Sequence, residues 1–486
     1  MDYDNQKWIN IYHTFETIWG YKEFRPPQKE VIHCLLKAQD ALIIMPTGGG
    51  KSICFQLPAL LKKGLTLVIS PLVALMENQV NDLKNKQLAV DLLHNEIPRQ
   101  QRKQTLNKIN KQQLRLLYLS PETLLSLPVW NLLIKPHIEI NGLILDEAHC
   151  LVQWGETFRP SYSRLGAVRD ALLKNKPTNQ KIAIAAFTAT ADPKSQNIIK
   201  NSLQLKNPQI FSISPYRKNL NLAIKIAWTP RCRHHQLLNF IKQQQKQSGL
   251  VYIRSRKDSE KLSQWLQELN YKVAAYHAGL SPIQRREIED KWLEDQLQFV
   301  VCTSAFGLGI NKPDVRWIIH YQTPFLLSEY LQEIGRGGRD GKLAKTLTLI
   351  SEPTGWLDPS DQKRNQYFLQ QLQKNYQQAK HYFKQIPQQG NLINLKEEIP
   401  KIEIILSLLY RWKKLKWIDP FNYELTSNLS DLNISQISKK SQQESQQMKQ
   451  YLMTRACRWQ YILNAFGFIK EAKNFNCGHC DNCLRK

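Results

Sequence analysis

The sequence predicts an α/β protein in which two tandem parallel-sheet domains are followed by a small helical subdomain. Three observations support this prediction. Short apolar runs occur in two successive sets, a glycine-rich stretch follows the first run, and the chain closes with closely spaced cysteines. Alternation of buried strands with helical segments is typical of doubly wound domains. At 486 residues the chain exceeds what one core can hold, so about three domains are expected.

The first set of apolar runs predicts the strands of the first domain. These runs are ALIIM (41–45), LTLVIS (65–70), LRLLYLS (114–120), GLILDEA (142–148) and IAIAAFTAT (182–190). The second set predicts the strands of the second domain, and its runs are SGLVYIRS (248–255), KVAAYHA (272–278), QFVVCTS (298–304), VRWIIHY (315–321) and TLTLIS (346–351). Polar segments of helical period separate the runs, as expected for parallel sheets.

We therefore expect one domain over 1–210, a second over 211–352 and a helical subdomain over 353–486, with the first boundary near SPYRKN (214–219). Residues 360–390 and 440–450 are rich in Gln, Lys and Ser, which predicts solvated helices or linkers. The region 395–450 is longer than a simple helical hairpin requires, which indicates an insertion. Within it, 402–425 predicts a helix followed by a hairpin-like turn at Asp419–Pro420.

Charge and cysteine usage narrow the class of protein. Lysine and arginine outnumber aspartate and glutamate by 67 to 41, a net charge of +26. This excess favours a polyanionic partner, most often nucleic acid. The alternative explanation is a general composition rich in Lys, Gln, Asn and Ile.

No apolar run reaches the ~20 residues of a membrane helix, and MDYDNQKW does not have the character of a signal peptide. We therefore expect a cytoplasmic protein with no membrane partner. In such a compartment the scattered cysteines predict core residues rather than disulfides: Cys34, Cys54, Cys150, Cys232 and Cys302.

The stretch MPTGGGKS (45–52) predicts a phosphate-binding loop. It lies between a predicted strand and an apolar helical segment, although Met45 stands where the usual pattern has its first glycine. Glycines let successive backbone N–H groups face a phosphate, a lysine reaches the β- and γ-phosphates, and a serine hydroxyl binds Mg²⁺. The candidate residues are Pro46, Thr47, Gly48, Gly49, Gly50, Lys51 and Ser52.

A pair of acids follows the predicted strand GLIL, in LILDEAHC (143–150). Asp146 could hold Mg²⁺, and Glu147 could polarise the attacking water. Two solvated carboxylates at a strand end are the alternative. The phosphate loop makes that alternative weak, because the carboxyl ends of parallel strands share one edge.

The C-terminal stretch CGHCDNCLRK predicts a metal site. Cys477, Cys480 and Cys483 have ligand spacing, and Cys457 lies twenty residues earlier on a predicted amphipathic helix. Four thiolates form a tetrahedral zinc site. His479 is the rival fourth ligand, and an iron–sulfur cluster remains an alternative to zinc.

PTGGGKS together with DEAH resembles the superfamily 2 helicases, and the surrounding motifs resemble the RecQ family of DNA helicases. The resemblance covers roughly residues 10–350 in motif order and spacing, and then the terminal cysteines. Its motifs are WGYKEFRPPQ (19–28), VISPLVALMENQV (68–80), YLSPE (118–122), FTATA (187–191), FGLGINKPDVRWIIHYQTP (306–324) and YLQEIGRGGRDG (330–341). It implies that both domains are RecA-like and that the terminal subdomain binds zinc.

The resemblance also implies how ATP and Mg²⁺ are held. Tyr21 would stack on adenine, while Arg25 and Gln28 would recognise it, and Gln332 would belong to the nucleotide site. Ser52 and Asp146 would hold the magnesium ion. Arg336 and Arg339 would reach the γ-phosphate from the second domain, with Arg339 the better candidate for an arginine finger.

HCLVQWGETFRPSY (149–162) resembles the aromatic-rich loop that couples DNA contact to ATP hydrolysis in this family. Trp154, Phe158 and Arg159 would contact DNA, because bases stack on aromatic rings and guanidinium groups bind the backbone. His149 and Gln153 would transmit the coupling. FTATA would take part through Thr188 and Thr190. An isolated WxxxF would favour core packing, but the polar, Gly and Pro neighbours here favour a loop.

The function that the resemblance implies is an ATP-dependent helicase that moves 3′→5′ on single-stranded DNA and unwinds duplexes in repair or recombination. The expected partners are DNA and single-strand-binding or repair proteins, and the expected state is a monomer. The alternatives are a DEAH-type RNA helicase and a zinc-stabilised nucleic-acid binder with weak motor activity.

Three residues follow Cys483, so we expect a short form without the winged-helix and HRDC domains. Segment 402–425 would then either replace a missing DNA contact, through Trp412, Trp417 and Phe421, or pack on the zinc subdomain.

Overall fold

The structure is a computed structural model that describes residues 2–46, 48–153, 159–306, 312–426 and 446–485. The chain divides into two compact units, each built from two separate stretches of sequence. One unit comprises Met1–Ile213 and Gln377–Leu432, and the other comprises Ser214–Tyr376 and Asn433–Lys486. Each unit contains one parallel sheet, which confirms the predicted α/β class with two tandem sheet domains.

The sheet of the first unit has seven parallel strands in the order β3-β4-β2-β5-β6-β1-β7. They are β1 (Ala41–Ile44), β2 (Leu65–Ile69), β3 (Val90–Leu93), β4 (Leu116–Leu119), β5 (Ile140–Leu145), β6 (Ala183–Thr188) and β7 (Gln209–Ser212). The helices are α1 (Asp2–Trp19), α2 (Gln28–Leu36), α3 (Lys51–Leu61), α4 (Val73–Asn85), α5 (Arg99–Asn110), α6 (Pro121–Leu124), α7 (Leu127–Leu133), α8 (Cys150–Gln153), α9 (Val168–Leu173) and α10 (Pro193–Ser202), with a 3₁₀ helix at Pro160–Ala167.

The five predicted strands of this sheet are confirmed, and β3 and β7 are additional. β3 is short and carries Asp91, which is buried and accepts hydrogen bonds from Lys84 at 2.8 Å and Lys108 at 3.0 Å. β7 is an edge strand whose residues are mostly exposed. Neither strand therefore shows the continuous apolar run of a strand buried on both faces.

The sheet of the second unit has six parallel strands in the order β10-β11-β9-β12-β13-β8. They are β8 (Leu220–Ala227), β9 (Gly249–Tyr252), β10 (Val273–Tyr276), β11 (Phe299–Cys302), β12 (Trp317–His320) and β13 (Ala344–Ser351). Its helices are α11 (Pro230–Gln243), α12 (Arg256–Glu268), α13 (Pro282–Leu293), α14 (Leu327–Ile334) and α15 (Ser360–Tyr382). β9 begins with glycine because the Trp317 ring lies over that position, 2.0 Å from where a Cβ of residue 249 would stand.

A third, antiparallel sheet lies in an inserted module, which we define as residues 389–425. Its strands pair in the order β14-β16-β15. The module comprises β14 (Gln389–Asn391), α16 (Leu392–Glu398), α17 (Ile402–Arg411), β15 (Leu415–Trp417) and β16 (Asn422–Leu425), preceded by a 3₁₀ turn at Phe383–Gln385. Residues 399–401 join the two helices, so the module is a helix-turn-helix followed by a β-hairpin. This confirms the predicted helix and hairpin over 402–425.

The module packs in the first unit, whereas the C-terminal helices pack in the second. Those helices are α18 (446–453), α19 (Arg458–Ala465), α20 (Ile469–Ala472) and α21 (Asp481–Leu484). Residues beyond 352 therefore do not form the single subdomain predicted over 353–486, because two groups of contacts hold them to different sheets. The contacts that the structure describes for segment 402–425 lie within the first unit.

Two further expectations concern burial and membranes. Four of the scattered cysteines are buried and Cys232 is half-buried, as expected of core residues. Across the described ranges, no helix has both the length and the apolar character needed to cross a membrane.

Candidate functional site

The glycine-rich loop connects the end of β1 to the start of α3. Gly50 is the residue before α3, and its φ of 76° lies in the left-handed region that glycine tolerates. A side chain at this position would also collide with the Gln28 amide, 2.3 Å from the Cβ position. Met45 is fully buried in the core, so this chain uses the position of the pattern's first glycine for packing. Thr47 lies outside the described residues.

Lys51 opens α3, with Ser52 next to it. The Lys51 amine is buried and has no hydrogen-bond partner among the described residues. A buried, unpartnered ammonium group is costly, so the pocket suits an anionic ligand. The loop, the lysine and the start of a helix therefore fit the phosphates of a nucleotide.

Arg25 and Gln28 contact this loop directly. The Gln28 side chain accepts a hydrogen bond from the Arg25 backbone N–H at 2.9 Å and donates one to the Gly50 carbonyl at 3.1 Å. The Arg25 guanidinium lies 3.5 Å from the Gly48 carbonyl. Tyr21 is 51% exposed, so its ring is accessible for stacking.

Asp146 and Glu147 follow β5 at the same edge of the sheet as the glycine-rich loop, because β5, β6 and β1 are parallel neighbours. Both carboxylates are buried. Burial and then the Glu147 charge raise the pKa of Asp146 to about 6, and the Lys51 charge partly offsets this. Glu147 has a φ of 53°, an uncommon conformation for a residue other than glycine. The lysine and the two acids form an arrangement suited to a metal–phosphate ligand.

His149 links the acids to the end of β6. Its Nδ1 lies 3.1 Å from a Glu147 carboxylate oxygen and 3.5 Å from the Thr188 hydroxyl. Thr188 in turn donates to the Thr190 carbonyl and accepts from the Thr190 N–H. Burial lowers the pKa of His149, but the neighbouring Cys150 and the Glu147 carboxylate outweigh burial and raise it to about 10. A continuous polar chain thus runs from Glu147 to Thr190.

The aromatic-rich segment is described only at its two ends. Trp154 and Phe158 lie outside the described residues, as does the Gln153 side chain. Arg159 donates to the Glu122 carboxylate at 3.2 Å, and the Ser161 hydroxyl donates to the same carboxylate at 2.8 Å. Sequence reasoning did not single out Glu122, although it lies within the motif YLSPE.

Gln332, Arg336 and Arg339 belong to the second unit. Gln332 lies on α14, and the two arginines lie in the loop that follows it. Arg336 is buried and Arg339 is half-buried. The side chains of Arg217 and Asn219 both donate to the Gly338 carbonyl, which fixes the loop between the arginines.

A buried charge network, which sequence reasoning missed, holds α14. Arg254 donates both terminal nitrogens to Glu333, at 2.8 and 2.7 Å, and His320 lies 3.0 Å from the same carboxylate. Burial raises the pKa of Glu333, but Arg254 and His320 outweigh burial and lower it to about 2. His320 and Glu333 lie within two of the quoted motifs, 306–324 and 330–341, but neither motif indicates that these side chains meet each other and Arg254.

Glu333→Gln should lower the free energy of unfolding by about 3–5 kcal/mol, because it leaves Arg254 buried without its carboxylate. Urea unfolding at pH 7 measures this loss. Glu287→Gln, at an exposed pair with Lys291, is the matched control and should leave the unfolding midpoint unchanged. An equal midpoint for Glu333→Gln and wild type would show that the network does not stabilise the unit.

The same carboxylate sets a dependence of stability on pH. The pKa of Glu333 is lower in the folded chain than in the unfolded chain, where it is about 4.3. Its contribution is therefore fully present above the unfolded pKa and is lost as the pH falls from about 5 towards 2. Between pH 5 and pH 2, the free energy of unfolding of Glu333→Gln should therefore fall less than that of the wild-type chain.

The four terminal cysteines come together in the second unit. The ligand atoms of Cys457, Cys477, Cys480 and Cys483 all lie within 4.8 Å of one another. Cys480 Sγ lies 3.4 Å from Cys483 Sγ, which in turn lies 3.8 Å from Cys477 Sγ. Thiolates around a tetrahedral zinc ion stand about 3.8 Å apart, given Zn–S bonds of about 2.3 Å. The donor set therefore fits zinc.

Cys457 precedes the first residue of α19 rather than lying within the helix as predicted. His479, the rival ligand, does not belong to the cluster, and its Nε2 lies 3.3 Å from the Tyr216 hydroxyl. The cluster is anchored to β8, because Asp481 accepts from the Ile224 N–H at 3.1 Å and Trp459 donates to the Leu220 carbonyl at 3.2 Å.

Comparison with known proteins found matching families and relatives. The chain matches the DEAD/DEAH box helicase family over residues 25–198, the helicase conserved C-terminal domain over 232–341 and the RecQ zinc-binding family over 425–484. It is 54% identical over 467 residues to the ATP-dependent DNA helicase RecQ of Synechocystis, covering 96% of each chain. It is 39% identical over 344 residues to the protein of that name from Haemophilus influenzae, where the match spans 70% of this chain and 54% of the relative.

Solved structures support the fold. Mss116p bound to single-stranded RNA and AMP-PNP matches with a TM-score of 0.59 at 19% identity, covering 71% of this chain and 73% of that one. Dbp5 of Saccharomyces cerevisiae bound to RNA and ADP BeF3 matches with a TM-score of 0.57 at 15% identity, covering 72% and 90%. At these identities the likeness extends to the architecture of the two sheets and no further.

Proposed function

Because this chain belongs to the RecQ family of ATP-dependent DNA helicases, we propose that it moves 3′→5′ along single-stranded DNA and unwinds duplexes that carry a 3′ tail. The observation that carries this proposal is the Lys51 amine, which is buried near the Asp146 charge and has no hydrogen-bond partner among the described residues. The direction of movement follows from the family resemblance, and a role in repair or recombination is proposed on the same ground.

In the nucleotide site, Tyr21 stacks on adenine while Arg25 and Gln28 bind its edge. Lys51 binds the β- and γ-phosphates, and Pro46, Thr47 and Gly48–Gly50 surround them with backbone groups. Ser52 and Asp146 hold Mg²⁺, which neutralises phosphate charge when bound. Glu147 accepts the proton of the attacking water.

The coupling of DNA to hydrolysis runs through the chain of polar contacts around His149. Trp154, Phe158 and Arg159 bind single-stranded DNA, and Gln153 and His149 relay their position to Glu147. The short His149–Glu147 and His149–Thr188 distances support this role, because any movement of His149 changes the position of the catalytic carboxylate.

Arg336 and Arg339 stabilise charge on the transferred phosphoryl group, with Arg339 as the arginine finger and Gln332 as a further nucleotide contact. The family resemblance implies that their contact with the γ-phosphate couples hydrolysis to motion. The Cys457, Cys477, Cys480 and Cys483 site holds zinc. The protein acts as a monomer, with single-strand-binding or repair proteins as further partners.

An unwinding assay over a panel of substrates tests this function. We expect ATP-dependent unwinding of duplexes with a 3′ overhang and of forks, little with a 5′ overhang, and stronger ATPase stimulation by single-stranded DNA than by RNA. Four-way junctions and RNA–DNA hybrids complete the panel. Stronger stimulation by RNA would favour a DEAH-type RNA helicase, and binding without unwinding would favour a passive zinc-stabilised binder.

A further inference from the structure

The inserted module (residues 389–425) contacts the first unit on both sides of segment 154–158. One side is α8, which ends at Gln153, and the other is the 3₁₀ helix Pro160–Ala167. Contacts on both sides come from the same helix of the module, α17, and from the hairpin that follows it.

The last residue of α17 contacts the near side. Arg411 donates from Nη1 to the Val152 carbonyl at 2.7 Å. Val152 lies in α8, which is a single turn, so its carbonyl belongs to the group that has no partner within the helix. A guanidinium here satisfies that carbonyl and also complements the negative end of the helix.

The first turn of α17 contacts the far side. Glu403 accepts from Arg164 Nη2 at 3.1 Å, and the same guanidinium donates from Nη1 to the Pro420 carbonyl at 3.3 Å. The Arg164 side chain is buried in the 3₁₀ helix, so it needs these partners to remain charged inside the fold. Helix α17 and the hairpin of the module therefore both bind the Arg164 side chain.

Two further contacts fix the module against the first unit. Phe421, at the hairpin turn, packs edge-on against Trp130 with ring centroids 5.6 Å apart. Tyr410 donates to the Ser202 carbonyl at 3.2 Å. The module thus has an apolar and a polar attachment besides the two at the flanks of 154–158.

This packing limits which residues of the helix-turn-helix are available to contact DNA. A helix that reads DNA presents one face to the groove, but most residues of α17 are buried: Ile402, Ile405, Leu406, Ser407, Leu408 and Leu409. Trp417 and Phe421 are buried as well, at 3% and 8% exposure. Two of the three aromatic residues expected to replace a missing DNA contact are therefore committed to the fold.

We propose that the inserted module is a brace that positions both flanks of segment 154–158, with Arg411 and Glu403 as positioning residues for nucleic-acid coupling. The inference rests on the proposed function, because that segment carries Trp154 and Phe158. Arg411 anchors the chain entering the segment, and Glu403 anchors the chain leaving it. The module would thereby hold the described residues on either side of the segment, 150–153 and 159–167, in place.

Arg411→Ala in the full-length chain tests the brace. We expect DNA-free ATPase to stay within about twofold of wild type and the ATPase rate at saturating single-stranded DNA to fall about tenfold. This is the size of effect expected when one charge-assisted hydrogen bond is lost. Hydrogen exchange should speed up at residues 150–153, the flank that Arg411 contacts, and remain unchanged in β6. In Glu403→Gln the faster exchange should fall at 159–165 instead.

Matched variants separate positioning from general damage. Arg411→Lys keeps a cationic donor and should restore part of the stimulation, while Lys416→Ala, at an exposed residue of β15, should behave as wild type. Trp154→Ala should lose stimulation without faster exchange in the flanks. Should Arg411→Ala unfold, Glu403→Gln decides the question by the same two measurements.

Wild-type stimulation in Arg411→Ala, with or without faster exchange, would overturn the brace. If nucleic acid does not stimulate the ATPase of the wild-type chain, the proposed function fails. Hydrogen exchange at the two flanks in the variants is then the measurement that tests the brace. Unchanged exchange in both Arg411→Ala and Glu403→Gln would reject it.

Discussion

Lys51→Ala should reduce DNA-stimulated ATP hydrolysis and unwinding by roughly 100- to 1,000-fold, the size of effect seen when one preorganised electrostatic contact to a reacting group is removed. The reason is the position of the Lys51 amine, which is buried near Asp146 and has no hydrogen-bond partner in the described part of the chain. Affinity for single-stranded DNA, measured by fluorescence anisotropy without nucleotide, should stay close to wild type because the substitution removes no proposed DNA contact.

Two variants control this experiment. Lys63→Ala removes an exposed lysine just beyond the same helix and should hydrolyse ATP at the wild-type rate. Lys51→Arg keeps the charge but replaces a compact ammonium with a planar group, so it should remain impaired. Wild-type unwinding by Lys51→Ala would refute the motor assignment, whereas joint loss of activity and DNA binding would indicate misfolding.

The sequence was sufficient for the two sheets wherever strands are buried on both faces. ALIIM and QFVVCTS are continuous apolar runs, and both became central strands. β8, with the sequence LNLAIKIA, alternates in polarity because it is an edge strand, so it shows no such run. The same holds for β7. The edge strands β7 and β8 were missed because their sequences leave a weaker pattern, whereas the edge strand β10 was predicted from its apolar run KVAAYHA.

The nucleotide site could be predicted because its groups follow strand ends within short motifs. Lys51, Asp146 and His149 each stand beside the glycines or acids that identify them. The Arg254–Glu333–His320 network could not be predicted in this way. His320 and Glu333 lie within quoted motifs, but their contact with each other and with Arg254 depends on the parallel order of β9 and β12 and on the packing of α14.

The inserted module also shows that a local sequence pattern does not predict which surface an element packs against. Its helix and hairpin were predicted from apolar period and turn residues, but its attachment was not. Arg411 and Glu403 look like ordinary charged ends of a helix, and their partners Val152 and Arg164 lie more than 200 residues earlier in the chain. Local pattern therefore predicts the elements of the module and does not indicate the surface that they cover.

Cys480→Ser should abolish metal binding and lower the melting temperature of the second unit by about 10 °C or more. Structural zinc contributes on the order of 10 kcal/mol of apparent binding free energy, and the loss of each kcal/mol costs about 2–4 °C in a domain of this size. Elemental analysis of the purified wild-type chain should find one zinc per chain, and calorimetry should report the change in melting temperature. Detection of iron together with a visible absorption band would instead identify the site as an iron–sulfur cluster.

Cys232→Ser is the matched control, because Cys232 is half-buried on α11 and lies outside the cluster. It should keep the metal and the wild-type melting temperature. Tyr451, Trp459 and Ile462 also pack the segment into the core of the second unit. The contrast should still be large because the cluster joins the short turns at the end of the segment to the start of α19. α20 and α21 are single turns, too short to be stable alone, and the described segment 446–485 is near the size at which folds need a metal or disulfide. Loss of metal with an unchanged melting temperature in Cys480→Ser would mean that Trp459 and Asp481 anchor the segment to β8 without the cluster. Retention of the metal would mean that Cys480 is not a required ligand.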